Sequence, residues 1–77
     1  SLATANLYPN PTSDVLTISN VENATIEIYN ILGQVMIIKT NISSQETIDV
    51  SGYAAGAYMA KISNAGVTTT KKFVVIK

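Results

Sequence analysis

The chain has 77 residues, with five lysines against five acidic residues and a net charge of zero at pH 7. It contains neither cysteine nor histidine, which excludes disulfide bridges, zinc-type metal sites and catalysis through a thiol or an imidazole. A chain of this length supports one hydrophobic core, and its balanced charge excludes nucleic acid as a partner.

The first six residues are predicted to be the remnant of a linker, and the domain to occupy residues 7–77. The opening segment, Ser1-Leu2-Ala3-Thr4-Ala5, has no basic region followed by an apolar stretch, so it does not resemble a secretory signal. The longest aliphatic runs are far shorter than the ~20 residues of a membrane-spanning helix. We therefore expect a piece of a longer protein that does not insert into a membrane.

Segments rich in β-branched and aromatic residues alternate with turn residues along the chain. The predicted strands are Leu7-Tyr8, Val15–Ser19, Thr25–Tyr29, Gln34–Thr40, Thr47–Val50, Ala57–Ser63 and Val67–Ile76. Apolar residues recur at every second position in several of them, as at Ile26 and Ile28, which is typical of half-buried strands. The sequence therefore predicts an all-β fold, a small immunoglobulin-like antiparallel β-sandwich of about six to seven strands.

The neutral total conceals an uneven distribution of charge. Residues 1–50 contain one lysine and five acidic residues (net −4), whereas residues 51–77 contain four lysines and no acid (net +4). In one interpretation the late strands lie beside earlier acidic strands and pair with them across the sheet. In the other, a basic C-terminal strand is presented to an acidic receptor. The order of the strands distinguishes the two.

Candidate residues for metal binding and catalysis are few. Asn10, Ser13 and Asp14 offer oxygen ligands in one loop, but a calcium site needs several converging carboxylates. Glu27 and Asp49 are a possible carboxylate pair, and nothing in their spacing indicates a cleft or a raised pKa. We expect no catalytic residue, no metal site and no cofactor. Tyr8, Tyr29 and Tyr53 are the candidate platforms for a glycan.

A series of short motifs occurs in a fixed order along the chain. They are Tyr8-Pro9-Asn10-Pro11, Asp14-Val15-Leu16-Thr17-Ile18, Ile28-Tyr29-Asn30-Ile31-Leu32-Gly33-Gln34-Val35, Ile48-Asp49-Val50-Ser51, Gly56-Ala57-Tyr58 and Lys71-Lys72-Phe73-Val74. Together they resemble the C-terminal sorting domain of the type IX (Por) secretion system, type A. The resemblance runs from Leu7 to Lys77.

The resemblance implies a role in protein export and not in catalysis. In that family the domain is the tail of a larger N-terminal cargo protein, which crosses the inner membrane of a Gram-negative bacterium with an ordinary secretory signal. The folded tail is then recognised in the periplasm by the outer-membrane translocon. A sortase-like transpeptidase usually removes the tail and attaches many cargoes to an anionic lipopolysaccharide, so the cargo ends on the cell surface or is secreted.

The recurrent positions of the family fall on the motif residues of this chain. They are Pro9, Asn10, Pro11, Gly33, Gly56, Tyr58, Lys72 and Phe73. The resemblance implies that most of them are architectural. The Gly56–Tyr58 region and the basic C-terminal end, from Lys71 and Lys72 to Lys77, are the predicted contacts with the receptor.

Several motif residues also have a direct physical interpretation. Pro9 and Pro11 lack backbone donors, so their segment should be extended and lie at a sheet edge or a crossing. Gly33 suits a hairpin turn that needs a positive φ. Phe73 should point inward, which directs Lys72 to the opposite face of its strand.

Three hypotheses about binding follow. A receptor can pair with the edge of the last strand, whose lysines then give the contact its direction. The same edge can support a weak homodimer. Alternatively, the domain is an immunoglobulin-like accessory module that binds a glycan or a neighbouring domain of an extracellular enzyme.

Overall fold

A computed structural model describes residues 5–77. They form seven strands and no helix: β1 (Asn6–Tyr8), β2 (Val15–Ser19), β3 (Ala24–Asn30), β4 (Val35–Ile42), β5 (Gln45–Asp49), β6 (Gly56–Asn64) and β7 (Val67–Val75). Each predicted strand is present, with ends that differ by no more than a few residues. In this part of the chain, no helix is long and apolar enough to cross a membrane.

The strands form two antiparallel sheets that pack as a sandwich, which confirms the predicted fold class. The smaller sheet has the order β1-β2-β5, and the larger has the order β4-β3-β6-β7. Of the linker predicted over residues 1–6, residues 1–4 lie outside the described range. Ala5 is buried, and Asn6 begins β1.

The core lies between the two sheets and is built almost entirely from aliphatic side chains. Alternate residues of each strand point inward, as the spacing of Leu16 and Ile18 in β2 and of Ile26 and Ile28 in β3 predicts. Each such side chain contributes about 1.5–3 kcal/mol through its burial. At one end of the core, the ring of Tyr58 stacks on Phe73 with centroids 5.6 Å apart.

The turn between β3 and β4 is held by its own hydrogen bonds. The Asn30 amide donates to the Gln34 carbonyl (3.0 Å), and the Gly33 amide donates to the Asn30 carbonyl (3.0 Å). The side-chain oxygen of Asn30 also accepts hydrogen bonds from the amides of Leu32 and Gln34. Gly33 has a φ of +84°, which is the positive value that the hairpin prediction requires.

This turn gives a stability prediction. We expect Gly33→Ala to lower the free energy of unfolding by about 1 kcal/mol, because a side chain at a positive φ is strained even where space is available. Gly52→Ala is the matched control, since Gly52 also faces open space and has no positive φ. Urea unfolding of the two variants tests this, and equal losses would contradict it.

Candidate recognition site

The motif residues gather at one end of the larger sheet, which we call the motif end. Asn30 of β3 pairs with Tyr58 of β6, and Tyr58 pairs with Phe73 of β7. The turn that contains Gly33, the beginning of β6 and the end of β7 therefore lie side by side. The opposite end of the sheet carries the β6–β7 turn, beside which Val67 begins β7.

The Pro9–Thr12 segment crosses from the smaller sheet to the edge of β7. Two of its peptide bonds, Tyr8-Pro9 and Asn10-Pro11, are cis. After the second proline, Thr12 forms a parallel bridge with Val75. The prediction that this segment lies at an edge or a crossing is confirmed.

Asn10 and Thr12 clamp the last strand through its outer backbone groups. The side chain of Asn10 accepts a hydrogen bond from the Val74 amide (3.1 Å) and donates one to the Lys72 carbonyl (3.3 Å). The Thr12 amide donates to the Val74 carbonyl (2.9 Å), and the Ile76 amide donates to the Thr12 carbonyl (2.9 Å). We call this set of four hydrogen bonds the clamp.

The clamp limits the edge-pairing prediction. Because the backbone groups of alternate residues point to the same side of a strand, Thr68 and Thr70 direct theirs to the same edge as Val74. The open edge of β7 therefore consists of the outer backbone groups of Thr68 and Thr70 and the amide of Lys72, because the Lys72 carbonyl already accepts from Asn10. A receptor strand cannot pair with Val74 or Ile76 while the clamp is closed.

We predict that Asn10→Ala weakens the clamp. The variant loses two hydrogen bonds, each of which contributes about 0.5–1.5 kcal/mol, and the Val74 amide should exchange its hydrogen faster. Asn10→Asp is the matched variant, because it keeps the acceptor for the Val74 amide and loses only the donor. Amide exchange by NMR measures both, and unchanged protection of Val74 in Asn10→Ala would refute the proposed role of the side chain.

Tyr58 and Phe73 belong to the core and not to the accessible surface. Their exposed fractions are 5% and 0%, and the Tyr58 hydroxyl donates to the Ala54 carbonyl at 2.6 Å. Tyr53 packs on Tyr58 with ring centroids 5.2 Å apart. The predicted contact between the Gly56–Tyr58 region and a receptor therefore cannot involve the ring of Tyr58, although Gly56 itself is exposed.

The C-terminal lysine is held against the β5–β6 loop. Lys77 Nζ donates a hydrogen bond to the carbonyl of Ser51. Asp49 organises the same loop, because its carboxylate accepts hydrogen bonds from the Ser51 hydroxyl (2.6 Å) and the Ser51 amide (2.9 Å). These bonds, together with the charge of Lys77, hold the pKa of Asp49 below its ordinary value.

This arrangement predicts a pH dependence. A carboxyl group whose pKa is lowered in the folded state stabilises the fold above its unfolded pKa, and this contribution is lost as the pH falls. We expect the native domain to be more stable than Asp49→Asn near neutral pH, with a difference that shrinks below about pH 4. Urea midpoints across pH test this. A difference that stays constant down to about pH 2 would contradict it.

The strand order shows which lysines lie beside an acidic residue and which do not. Lys61 lies opposite Glu27 in the β3–β6 pair, and their charged atoms are 3.8 Å apart. Lys39 also forms an ion pair, with Glu46 at 3.8 Å, but these two residues belong to different sheets. Lys72 lies opposite Met59 and forms no ion pair with the described residues. Cross-strand pairing therefore accounts for Lys61, whereas Lys72 is exposed to solvent.

The outer face of the larger sheet carries a feature that the strand pattern does not reveal. Directly opposite residues share one face, so Val35, Tyr29, Met59 and Lys72 form a row across all four strands. We call these four residues the outer row. A depression of about 430 Å³ lies around its centre. In the sequence, this feature is indicated by Ile31-Leu32, two large aliphatic residues in a predicted turn.

The candidate glycan platforms do not meet. Tyr8 lies in the smaller sheet, Tyr29 on the outer face of the larger sheet, and Tyr53 against Tyr58.

Of the candidate metal ligands, Asn10 is engaged in the clamp. Within residues 5–77, no three acidic side chains come close enough together to hold a metal ion.

Comparison with known proteins identifies the family. Residues 6–77 match the family described as the secretion system C-terminal sorting domain. The chain belongs to this family of type IX secretion sorting domains. The family consists of sorting signals at the C-termini of secreted proteins and is not catalytic.

Three relatives illustrate where such domains occur. Beta-agarase D of Zobellia galactanivorans is 39% identical over 70 residues, which cover 91% of this chain and 14% of that protein. Ulvan lyase NLR42 of Nonlabens ulvanivorans is 34% identical over 65 residues, covering 80% of the chain and 12% of the lyase. Beta-agarase A of Z. galactanivorans is 38% identical over 60 residues, which cover 74% of this chain and 11% of that agarase. The chain thus spans a small part of each relative.

A solved structure has the same fold. It is that of PorZ, described as an essential surface component of the type IX secretion system of Porphyromonas gingivalis, and it superimposes with a TM-score of 0.88 at 19% identity. The match covers 99% of this chain and 12% of PorZ. At this level of identity, the likeness shows the fold alone.

Proposed function

We propose that this domain directs a larger cargo protein, fused to its N-terminal side, across the outer membrane through the type IX secretion system. The observation that carries the proposal is the match of residues 6–77 to the sorting family. The gathering of the motif residues at one end of the sandwich supports it, because a receptor can then read them from one direction.

The proposed path has three steps. The cargo enters the periplasm, the folded domain binds the outer-membrane translocon, and a sortase-like transpeptidase removes the domain. The cargo is then attached to the cell surface or released. The match to a family described as a secretion system sorting domain supports a final location outside the cell.

Within the domain, we propose that the receptor contacts the exposed groups of the motif end. Lys71, Lys72 and Lys77 supply positive charge there, and the open edge, which runs toward this end from Thr68 near the β6–β7 turn, supplies unpaired backbone groups. Gly56 lies beside them, opposite Val75. The buried rings of this region act indirectly, because they fix the ends of β6 and β7.

The decisive experiment tests whether the domain is sufficient for export. Residues 1–77 are fused behind a reporter that carries a secretory signal and are expressed in a bacterium with this secretion system. We expect the reporter on the surface or in the medium, and in the periplasm of a translocon-deficient strain. Retention of a folded reporter in the periplasm of both strains would contradict the proposed sorting function. It would favour an accessory module that binds a glycan or a neighbouring domain.

Charge variants test the proposed contacts. We expect Lys71→Glu combined with Lys72→Glu to slow export without unfolding the domain, because neither side chain belongs to the buried core. Ser43→Glu with Ser44→Glu adds acidic charge at exposed positions of the β4–β5 connection and is the control. Deletion of residues 73–77 is less informative, since it removes the buried Phe73 from the core.

The open edge also supports a proposal of weak self-association. A second copy can pair with the same backbone groups between Thr68 and Lys72. Sedimentation of the domain over a range of concentrations measures this. A constant monomer mass would leave receptor pairing as the role of the edge.

A further inference from the structure

The turn between β3 and β4 displays two large aliphatic side chains to solvent. Ile31 is 80% exposed and Leu32 is 81% exposed. Turns are usually built from glycine, asparagine, aspartate, serine and proline, and neither side chain adds to the core. Their exposure has no explanation in the stability of the fold.

The backbone of this turn is fixed. The side chain of Asn30 binds the amides of Leu32 and Gln34 at 2.9 and 3.0 Å, and its Nδ2 donates to the Gln34 side chain at 2.8 Å. The backbone conformation at Ile31 and Leu32 is therefore already fixed in the unbound domain. A fixed contact segment loses less entropy on binding than a flexible one.

The first of these side chains, that of Ile31, adjoins the outer row. Ile31, Tyr29 and Met59 line the depression of about 430 Å³ on the outer face of the larger sheet. Val35, at the β4 end of the row, is also exposed. Contiguous exposed apolar surface of this kind marks an interaction site, unlike single exposed apolar residues.

Charge restricts the partner. In the neighbouring row, Glu27 and Lys61 neutralise one another at 3.8 Å. The outer row ends instead at Lys72, which lies opposite Met59 and has no acidic partner among residues 5–77. A complementary surface therefore places apolar side chains on the depression and a carboxylate beside Lys72.

The position of the site relates it to the rest of a cargo protein. The described chain enters the fold at Ala5 and β1, which belongs to the smaller sheet. The outer row lies on the outer face of the other sheet, on the opposite side of the sandwich. A domain that precedes β1 is thus attached on the side away from the depression.

We infer that the β3–β4 turn and the outer row form a docking surface for a separate protein, which contributes apolar side chains and an acidic residue. Leu32 and Ile31 insert into an apolar pocket of the partner, and Lys72 pairs with the carboxylate. The inference rests on the proposed function only in so far as the partner is a protein that the cargo meets during export. It concerns the outer face of the sheet and not the open edge of β7.

Site-specific photo-crosslinking in the complete cargo protein tests the inference. A benzophenone amino acid replaces Leu32, and in the control it replaces Val67, which is 59% exposed at the opposite end of the sheet. We expect a single protein adduct from position 32 and none from position 67. A lipid adduct, an adduct to a second copy or to the cargo's own preceding domain, or equal adducts from both positions would each overturn the inference.

The protein that is identified in the adduct is then purified without crosslinking, and its binding to the complete cargo protein provides the quantitative test. We expect Leu32→Ser to weaken binding about tenfold or more, and Lys72→Glu to weaken it most at low salt. Val67→Ser should leave the affinity unchanged. Equal affinities of all the variants, or a loss in Lys72→Glu that does not respond to salt, would refute the assigned chemistry.

Export of the same variants separates this inference from the proposed function. Normal export of Leu32→Ser, together with the absence of an adduct, refutes the docking surface and leaves the sorting function intact. Failure of the native fusion to be exported refutes the sorting function, while an adduct from position 32 still supports the surface.

Discussion

The clamp between Asn10 and the last strand is the interaction on which the rest of the motif end depends. It joins residues 62 and 64 positions apart in the chain, and it ties the segment that follows β1 of the smaller sheet to β7 of the larger sheet. Once closed, it fixes the outer side of Val74 and thereby the direction in which the chain ends. A receptor that recognises this end recognises a folded domain, because the unfolded chain does not bring these residues together.

The two ends of the sandwich differ in which residues they carry. At the motif end, the stacked rings of Tyr58 and Phe73 hold the start of β6 and the end of β7 in register. The β3–β4 turn lies beside them because β3 pairs with β6 in the same sheet. The opposite end closes with a short hairpin turn that carries none of the motifs. The core residues and the proposed recognition residues are thus neighbours on the same strands, one set facing inward and the other facing solvent.

Much of the fold could be predicted from local pattern. The alternation of Ile26 and Ile28 defines the buried face of a strand, and Gly33 marks a turn whose backbone few other residues adopt. The order of the strands could not be predicted in this way, because it depends on contacts between distant segments. For the same reason, the sequence did not show that Thr12 covers part of β7, or that Lys61 has an acidic partner while Lys72 has none in the described part of the chain. The exposed Ile31 and Leu32 violate the usual composition of turns, and they indicate a surface only once the outer face is known.

The composition of the open edge has a consequence for solubility. Exposed strand edges invite aggregation, and charged side chains, especially lysine, oppose it. In this domain the unprotected stretch is made of threonines followed by Lys71 and Lys72, while the more apolar end of the strand is covered by the Pro9–Thr12 segment. The two lysines at one end of this stretch oppose close approach of a second copy and so keep any self-association weak, whereas an acidic partner meets attraction at the same place. The lysines therefore let the edge remain exposed to solvent while limiting aggregation through it.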